Sequence, residues 1–355
     1  MFHVKHQSVE RITMTSRKNP GKHTAFFPSL PSVAGFAAVA GKKEGDGPLG
    51  KYFDEISSDP YFNQNTWEKA ESEMQTRAFQ IALNKAGLKA NDIERLFAGD
   101  LLNQCISSSL SHREDSIPYV GLYGACSTMA ESINLAAMTV DGGYAEIAGA
   151  ITSSHFCSAE RQYRMPLEYG GQRPPCAQWT TTASGCLILS KNGKGPVVCA
   201  SVTGEIVDAG IKDANNMGAA MAPAAYSTLS ALFAETGTSP QNYDLIVTGD
   251  LGKVGSGILR DLFAEDGLDL GDVYNDCGLM MFSPDQDTHS GGSGCGCSAA
   301  VLGGYILKML EKGIYRRVIF AGTGALHSPT SVNQGASIPG VCHACILADR
   351  KESAI

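Results

Sequence analysis

Apolar and polar positions follow the same order in two separate stretches of the chain. Residues 96–100 and 245–250 are apolar runs that end in Gly-Asp, and each is followed by a glycine-rich turn that contains Cys-Ser. Apolar runs without alternation are typical of strands buried on both faces. In the first stretch the pattern predicts a turn at 120–127, a helix over 128–140 and a strand over 147–154. In the second stretch it predicts a turn at 291–298, a helix over 299–312 and a strand over 318–324.

This repetition predicts one α/β fold that is built from two similar halves. Strands that alternate with helices form parallel sheets with right-handed crossovers, and a repeat of roughly 150 residues is too long for a solenoid. We expect a flexible N-terminal tail over residues 1–21, a first half over 22–195 and a second half over 196–355. The pattern also predicts helices at 66–86, 227–236 and 257–263, and irregular loops of functional importance at 156–182 and 208–225.

The ends of the predicted helices carry local signals. Ser127 and Thr128 can cap the helix 128–140, and Gly87, Gly143 and Gly313 can end the helices that precede them.

The composition is that of a globular protein with a large core. Hydrophobic residues make up 43% of the 355 positions and charged residues only 18%, below the usual value of about 25%. This balance excludes a disordered chain, a coiled coil and a small disulfide-rich scaffold. The net charge of −8 argues against general nucleic-acid binding, because the phosphate backbone requires a basic surface.

Signals for membrane insertion, secretion and metal binding are weak. No apolar run approaches the roughly 18 residues of a membrane-spanning helix, and residues 1–22 lack the apolar region of a secretory signal. The eleven cysteines are therefore expected to be free thiols and mostly small buried residues. The pairs Cys295–Cys297 and Cys342–Cys345 lack a second pair at zinc-finger spacing, so no metal site is predicted.

Cys126 is the strongest candidate for chemistry. It lies in the turn before the predicted helix 128–140, where unpaired backbone N–H groups and the helix dipole would lower the pKa of a thiol and could also hold a carboxylate. The simpler alternative is a small residue packed where the helix meets the sheet. A nucleophile also needs a base, and the candidates are His155, after a predicted strand, and His289, before the second glycine-rich turn.

Other polar residues leave two alternatives open. Arg161 and Arg164 are one helical turn apart and could converge on an anion, or they could be solvated surface side chains. Asp100 and Asp250 follow equivalent strands, and matched structural roles are favoured over contact with a ligand. His327 is interpreted as structural or neutral.

Several strings of residues resemble a known family. The turn Gly124-Ala-Cys126-Ser-Thr128 before a helix, in the first of two similar halves, resembles the thiolase-like superfamily of thiolases and β-ketoacyl synthases. Longer strings, over about residues 20–350, resemble one family within it, the stage V sporulation protein AD (SpoVAD) family. These strings include Ala98-Gly-Asp-Leu-Leu-Asn-Gln104, Thr152-Ser-Ser-His155, Ala159-Glu-Arg-Gln-Tyr-Arg164, Met217-Gly-Ala-Ala-Met-Ala-Pro-Ala224 and Gly291-Gly-Ser-Gly-Cys295.

The resemblance implies a fold, a place and a function. The fold is a thiolase-like five-layered α-β-α-β-α arrangement of two duplicated halves, usually as a homodimer. The protein is expected in the forespore and spore, where it would lie peripherally on the inner spore membrane in association with the other SpoVA membrane proteins. The implied function is to bind dipicolinic acid or its calcium chelate, for uptake during sporulation and release at germination. No cofactor is implied.

The implied ligand sets the requirements of the pocket. Dipicolinate is a flat, rigid dianion, so its site needs donors for two carboxylates and walls for one ring. Its rigidity lowers the entropy cost of binding. By resemblance and chemistry together, the expected ligand-binding residues are Cys126, Ser127, Ser154, His155, Arg161, Arg164, Tyr169, His289 and Ser293.

Departures from the thiolase pattern argue against catalysis. His289 stands one residue too close to the Gly291 turn, and residues 321–323 hold no cysteine where thiolases carry their second one. Without a proper pair of bases, removal of a proton from an acyl thioester is not expected. Cys126 is therefore interpreted as a vestigial nucleophile in a degenerate, non-catalytic protein. The alternatives are a Cys-dependent acyltransferase or condensing enzyme of the thiolase type, and a scaffold with an idle cleft.

Overall fold

The computed structural model describes residues 18–163 and 172–352. Its strands are β1 (Thr24–Phe26), β2 (Ser32–Gly41), β3 (Glu55–Ser57), β4 (Arg95–Gly99), β5 (Tyr119–Leu122), β6 (Ile147–Ser154), β7 (Trp179–Thr180), β8 (Ala183–Ser190), β9 (Val197–Val202), β10 (Ile206–Val207), β11 (Leu245–Thr248), β12 (Tyr274–Asp276), β13 (Gly292–Ser293), β14 (Arg317–Ala325) and β15 (Gly340–Ala348).

Helices alternate with these strands through most of the described chain. They are α1 (Lys42–Gly45), α2 (Trp67–Ala86), α3 (Ile106–His112), α4 (Thr128–Asp141), α5 (Phe156–Tyr163), α6 (Met217–Thr236), α7 (Gly252–Glu265), α8 (Cys277–Met281), α9 (Cys295–Val301), α10 (Leu307–Glu311) and α11 (Pro329–Asn333). A π-helical turn, Leu302–Ile306, joins α9 to α10.

The main strands form two five-stranded sheets with the same order. The first sheet runs β2-β8-β6-β4-β5 and the second runs β9-β15-β14-β11-β12. In each sheet the three strands farthest from the join pair in parallel, whereas the strand second from the join, β8 or β15, pairs antiparallel with both of its neighbours. The sheets meet at one pairing, between Ser32 and Val197. The repeated order is the structural counterpart of the repeated sequence pattern.

Three apolar clusters hold the layers together. The central cluster packs the buried faces of α4 and α9 between the two sheets, and the apolar faces of α2 and of α6 with α7 cover the outer sides. Every residue of α9 is buried, which suits a helix with a sheet on each side. The order of layers is therefore α-β-α-β-α, as predicted.

The helix ends follow local chemistry. The Thr66 hydroxyl accepts the N–H of Lys69 at the start of α2, and Gly87 ends that helix in the left-handed conformation. Gly143 and Gly313, predicted as helix stops, also have positive φ angles. The predicted caps at Ser127 and Thr128 are wrong, because both hydroxyls instead donate to carbonyls of the preceding turn.

Two predicted loops contain helices. Helix α6 begins at Met217 rather than at 227, because Asn216 caps it and Pro223 is accommodated inside it. The stretch 156–182 begins with α5, and β7 lies near its end. Helix α7 is also longer than predicted, since it starts at Gly252.

Candidate functional site

Cys126 lies where the two halves of the fold meet. It is the middle residue of a 3₁₀ turn, Ala125–Ser127, between β5 and α4. Ala125 has a φ of 50°, a conformation that is uncommon for residues other than glycine. Asp250, which follows β11 in the second half, reaches the thiol of Cys126 through its carboxyl group. The turn and the second-half strand together fix the position of the sulfur.

Asp250 organises the polar side of this site. Its carboxylate accepts the Gly294 N–H at 2.8 Å, the Ser293 hydroxyl at 3.1 Å and the Thr323 hydroxyl at 2.9 Å. It is completely buried, and burial raises its pKa. These hydrogen bonds agree with the predicted structural role, and the carboxyl also lies near enough to the candidate thiol to influence its ionisation.

The ionisation of Cys126 differs from the prediction. Burial, and then the neighbouring Asp250 carboxyl, raise the pKa of the Cys126 thiol well above its ordinary value. The expected lowering by the helix N-terminus is therefore wrong, because desolvation and a nearby negative charge both disfavour a thiolate. A protonated thiol is a poor nucleophile.

A small cavity opens beside the Cys126 sulfur, and we name it the Cys126 cavity. Its volume is about 30 Å³, which is room for only one or two water molecules. Its apolar wall is formed by Leu101, Tyr123, Ala159, Tyr163, Met217 and Ala325.

The polar lining of the Cys126 cavity is acidic or neutral. Glu160 accepts the Thr180 hydroxyl at 2.9 Å, and both residues line the cavity. His327, interpreted from the sequence as structural or neutral, also lines it, with its ring 5.6 Å from the ring of Tyr163. No lysine or arginine among residues 18–163 and 172–352 lines this cavity. In the described part of the chain it therefore lacks a strong counter-charge for a dianion.

The predicted serines have different surroundings. Ser293 lines the Cys126 cavity. Ser127 and Ser154 are fully buried, and their hydroxyls donate to the Gly124 and Thr181 carbonyl oxygens at 2.6 and 2.7 Å. Ser154 also accepts the N–H of Gly296 at 3.2 Å, so it links β6 to the start of α9.

His155 does not line the Cys126 cavity. Its Nε2 lies 2.8 Å from the Pro60 carbonyl oxygen, and its Nδ1 accepts the Cys157 N–H at 3.2 Å. This pairing places the proton on Nε2, and burial lowers the pKa of the imidazole, so the ring is neutral. His155 instead lines a second, larger cavity.

The remaining predicted residues are dispersed. Arg161 pairs with Glu68 beside a surface cavity. His289 lines another surface cavity, where its Nδ1 lies 2.9 Å from the Pro174 carbonyl oxygen. Arg164 and Tyr169 lie outside the described residues. Of the nine predicted residues, the structure brings Cys126 and Ser293 to one cavity.

The described ranges lack features of membrane insertion and of metal binding. None of their helices combines the length and apolar character needed to cross a bilayer. No group of three or more His, Cys, Asp or Glu side chains within those ranges is placed to hold a metal ion. All eleven cysteines are free thiols.

Comparison with known proteins decides the family. A sequence model of the stage V sporulation protein AD family matches residues 21–348, which is nearly the whole chain. The chain belongs to the SpoVAD family. The stage V sporulation protein AD of Bacillus subtilis (strain 168) is 43% identical to it over 330 residues, which cover 93% of this chain and 98% of that relative. Membership in the SpoVAD family confirms the resemblance and places the chain among sporulation proteins.

Solved structures of condensing enzymes share the fold of this SpoVAD-family chain. A 3-oxoacyl-(acyl-carrier-protein) synthase III from Aquifex aeolicus is 11% identical, with a TM-score of 0.53, and the match covers 90% of this chain and 99% of the enzyme. An OleA structure from Xanthomonas campestris is 14% identical, with a TM-score of 0.59 and coverages of 91% and 99%. At such identities the likeness concerns the fold alone, and it confirms the thiolase-like fold.

Proposed function

We propose that this protein is the dipicolinate-binding component of the SpoVA assembly. It binds dipicolinic acid or its calcium chelate during uptake into the developing spore and during release at germination. Membership in the SpoVAD family, over nearly the whole chain, supports a role in sporulation. The finer assignment to dipicolinate rests on the resemblance and on ligand chemistry.

The observation that favours binding over catalysis is the state of Cys126. Burial and the neighbouring Asp250 carboxyl both raise the pKa of its thiol well above the ordinary value. A condensing enzyme needs a thiolate or an adjacent base to begin acyl transfer. The two histidines predicted as bases, His155 and His289, line other cavities. His327 does line the Cys126 cavity, so the protonated state of the thiol, rather than the lack of a histidine, disfavours acyl transfer. The protein is therefore proposed to be a non-catalytic member of a fold that also serves enzymes.

The proposed location is the forespore and spore, peripheral on the inner spore membrane. Contact with that membrane is proposed to occur through the other SpoVA membrane proteins, which would receive dipicolinate from this protein or deliver it. A homodimer is also proposed, on the basis of the outer strand of the first sheet. Strand β5 ends that sheet, and Tyr119 and Val120 on it are 36% and 40% exposed. An exposed apolar edge strand is suited to pairing with a second copy.

Two assays on the purified protein test the proposed function. Equilibrium dialysis against dipicolinate is expected to show saturable uptake by the protein, and absence of uptake would contradict the proposal. Intact-protein mass spectrometry after incubation with acyl thioesters is expected to show no added acyl group. A stable adduct on Cys126, absent in a Cys126→Ala variant, would favour the acyltransferase alternative instead.

A further inference from the structure

One surface of the protein lies where the central parallel strands of both sheets begin. Strand β6 starts opposite the end of β8, and β14 starts opposite the end of β15. The pairing of Ser32 with Val197, at the starts of β2 and β9, brings the two sheets together at this end. The Arg350 guanidinium also donates to the Gly193 carbonyl oxygen, from one half to the other. We name this surface the lower face, and it is formed by the segments 141–146, 191–195, 311–317 and 349–352.

Two large apolar side chains project from the lower face. Tyr144 is 78% exposed and Ile314 is 59% exposed. They occupy equivalent positions in the two halves, because each follows a glycine with a positive φ angle at the end of a central helix, Gly143 after α4 and Gly313 after α10. The backbone N–H of each residue also closes the same helix-ending turn, with a bond of 2.9 Å to a carbonyl oxygen of its helix.

The same turn buries its apolar residue at other helices of this chain. Leu88 and Leu268 follow the terminal glycines of α2 and α7 and make the same backbone bond. Both leucines pack against the apolar clusters on the outer sides of the sheets, which is the usual contact of this motif. Tyr144 and Ile314 depart from that pattern, and their exposure points to a contact outside the chain.

The lower face is basic, although the protein as a whole is acidic. Its four segments contain seven Lys or Arg residues and five Asp or Glu residues, whereas the whole chain has 28 and 36. The exposed lysines of the face are Lys191, Lys194, Lys312 and Lys351. Nearby carboxylates are already engaged, since Asp141 is paired with Lys18 at 2.9 Å. Asp244, before β11, accepts the N–H groups of Arg316 and Arg317 at 2.7 and 2.9 Å.

This combination suits an anionic lipid surface. Tyrosine and isoleucine can enter the boundary between headgroups and acyl chains, while lysine ammonium groups meet the lipid phosphates. A bilayer surface is broad, so two side chains at equivalent positions of the two halves can contact it together.

We propose that the lower face binds an anionic lipid bilayer directly, with Tyr144 and Ile314 inserted between the headgroups and Lys194 and Lys312 beside the phosphates. The proposal rests on the proposed location at the inner spore membrane. It adds a direct lipid contact to the contact through partner membrane proteins.

The lower face is remote from the Cys126 cavity. Strand β14 runs from Arg317, at the lower face, to Ala325, which lines that cavity. Its length separates the two by roughly 25 Å. Substitutions on the lower face are therefore expected to leave the uptake of dipicolinate in equilibrium dialysis unchanged.

Co-sedimentation of the purified protein with lipid vesicles tests the proposal. The wild type is expected to sediment with equimolar phosphatidylglycerol and phosphatidylcholine, to release as salt rises, and to bind phosphatidylcholine alone more weakly. The double variant Tyr144→Ser with Ile314→Ser is expected to bind about tenfold more weakly, because the inserted apolar surface is lost. The matched control is Ile206→Ser, since Ile206 is 68% exposed but lies on β10, which pairs with the start of β15 at the opposite end. It should bind like the wild type.

Charge variants test the lysines. Lys194→Gln and Lys312→Gln are each expected to weaken binding to the phosphatidylglycerol vesicles by about fivefold, since each removes one cation near the lipid surface. Lys253→Gln is the control, because Lys253 is an exposed lysine at the start of α7, beyond the opposite ends of the strands.

The outcomes separate the lipid contact from the proposed function. Equal sedimentation of the wild type and the double variant would overturn the lower face as the lipid-binding surface. A wild type that sediments with neither vesicle would overturn direct lipid contact and favour attachment through a membrane protein alone. Failure to take up dipicolinate in dialysis would contradict the proposed function, whereas the vesicle result would stand.

Discussion

The buried carboxyl of Glu44 predicts how stability changes with pH. Glu44 follows β2 in helix α1 and is 2% exposed, and burial raises its pKa from 4.5 to about 7 despite the hydrogen bond from the Thr182 N–H. Below about pH 4.5 the group is protonated in both the folded and the unfolded chain. Between that pH and about 7 the unfolded chain loses the proton first, so the free energy of unfolding falls as pH rises.

The magnitude follows from the two pKa values. The difference between 4.5 and about 7, at about 1.36 kcal/mol per pH unit, corresponds to about 3 kcal/mol of stability. Above about pH 7 the carboxyl is ionised in both states, and the contribution becomes constant. Glutamine cannot ionise, yet its side-chain oxygen can still accept the Thr182 N–H. The Glu44→Gln variant should therefore lack this part of the pH dependence.

Urea unfolding of wild type and Glu44→Gln at pH 5, 6, 7 and 8 measures the effect. We expect the variant to gain stability relative to wild type as pH rises, by about 2.5 kcal/mol between pH 5 and pH 8. Asp46→Asn controls for the loss of one negative charge near the same turn. A difference between wild type and Glu44→Gln that stays constant from pH 5 to pH 8 would refute the reasoning.

Three further predictions test packing, thiol chemistry and assembly. Gly296→Ala should destabilise the fold by about 1–3 kcal/mol in thermal unfolding, because its new Cβ would lie 2.2 Å from a backbone oxygen. The control variant Gly257→Ala, whose Cβ would lie in open space on α7, should be neutral or stabilising. Iodoacetamide should label the partly buried Cys157 before the buried Cys126, and the reverse order in peptide mass spectrometry would contradict the raised pKa of the Cys126 thiol. Val120→Lys on the edge strand β5 should shift a dimer to monomer in light scattering, and an unchanged mass would place any dimer interface elsewhere.

Local patterns predicted the elements that local chemistry determines. Strand β6 has the predicted bounds, 147–154, because its apolar run is buried on both faces. Helix α2 has its predicted Gly87 end. The first part of α6 was missed because Pro223 and small residues obscure its period, and tertiary packing against α7 and β15 stabilises it despite the proline. Helix propensity predicts secondary structure poorly where tertiary packing determines it.

The site depended on contacts that are distant in sequence. The turn at Cys126 was predicted, but its ionisation was not, because Asp250 reaches the sulfur from the other half of the chain. His155 does follow a strand end, yet its ring turns toward the Pro60 carbonyl oxygen and away from the expected base position. The larger cavity that His155 lines combines α1, α5 and β7 with a second-half turn, and no single motif marks that combination.

The central claim is that this protein binds dipicolinate without catalysis. Calorimetric titration with dipicolinate, beside isophthalate as a control of the same shape without the ring nitrogen, tests the claim most directly. We predict saturable heat with dipicolinate and a weaker response to isophthalate. An equal response to the two would contradict recognition of the ring nitrogen, and the absence of saturable heat with dipicolinate would contradict the claim itself.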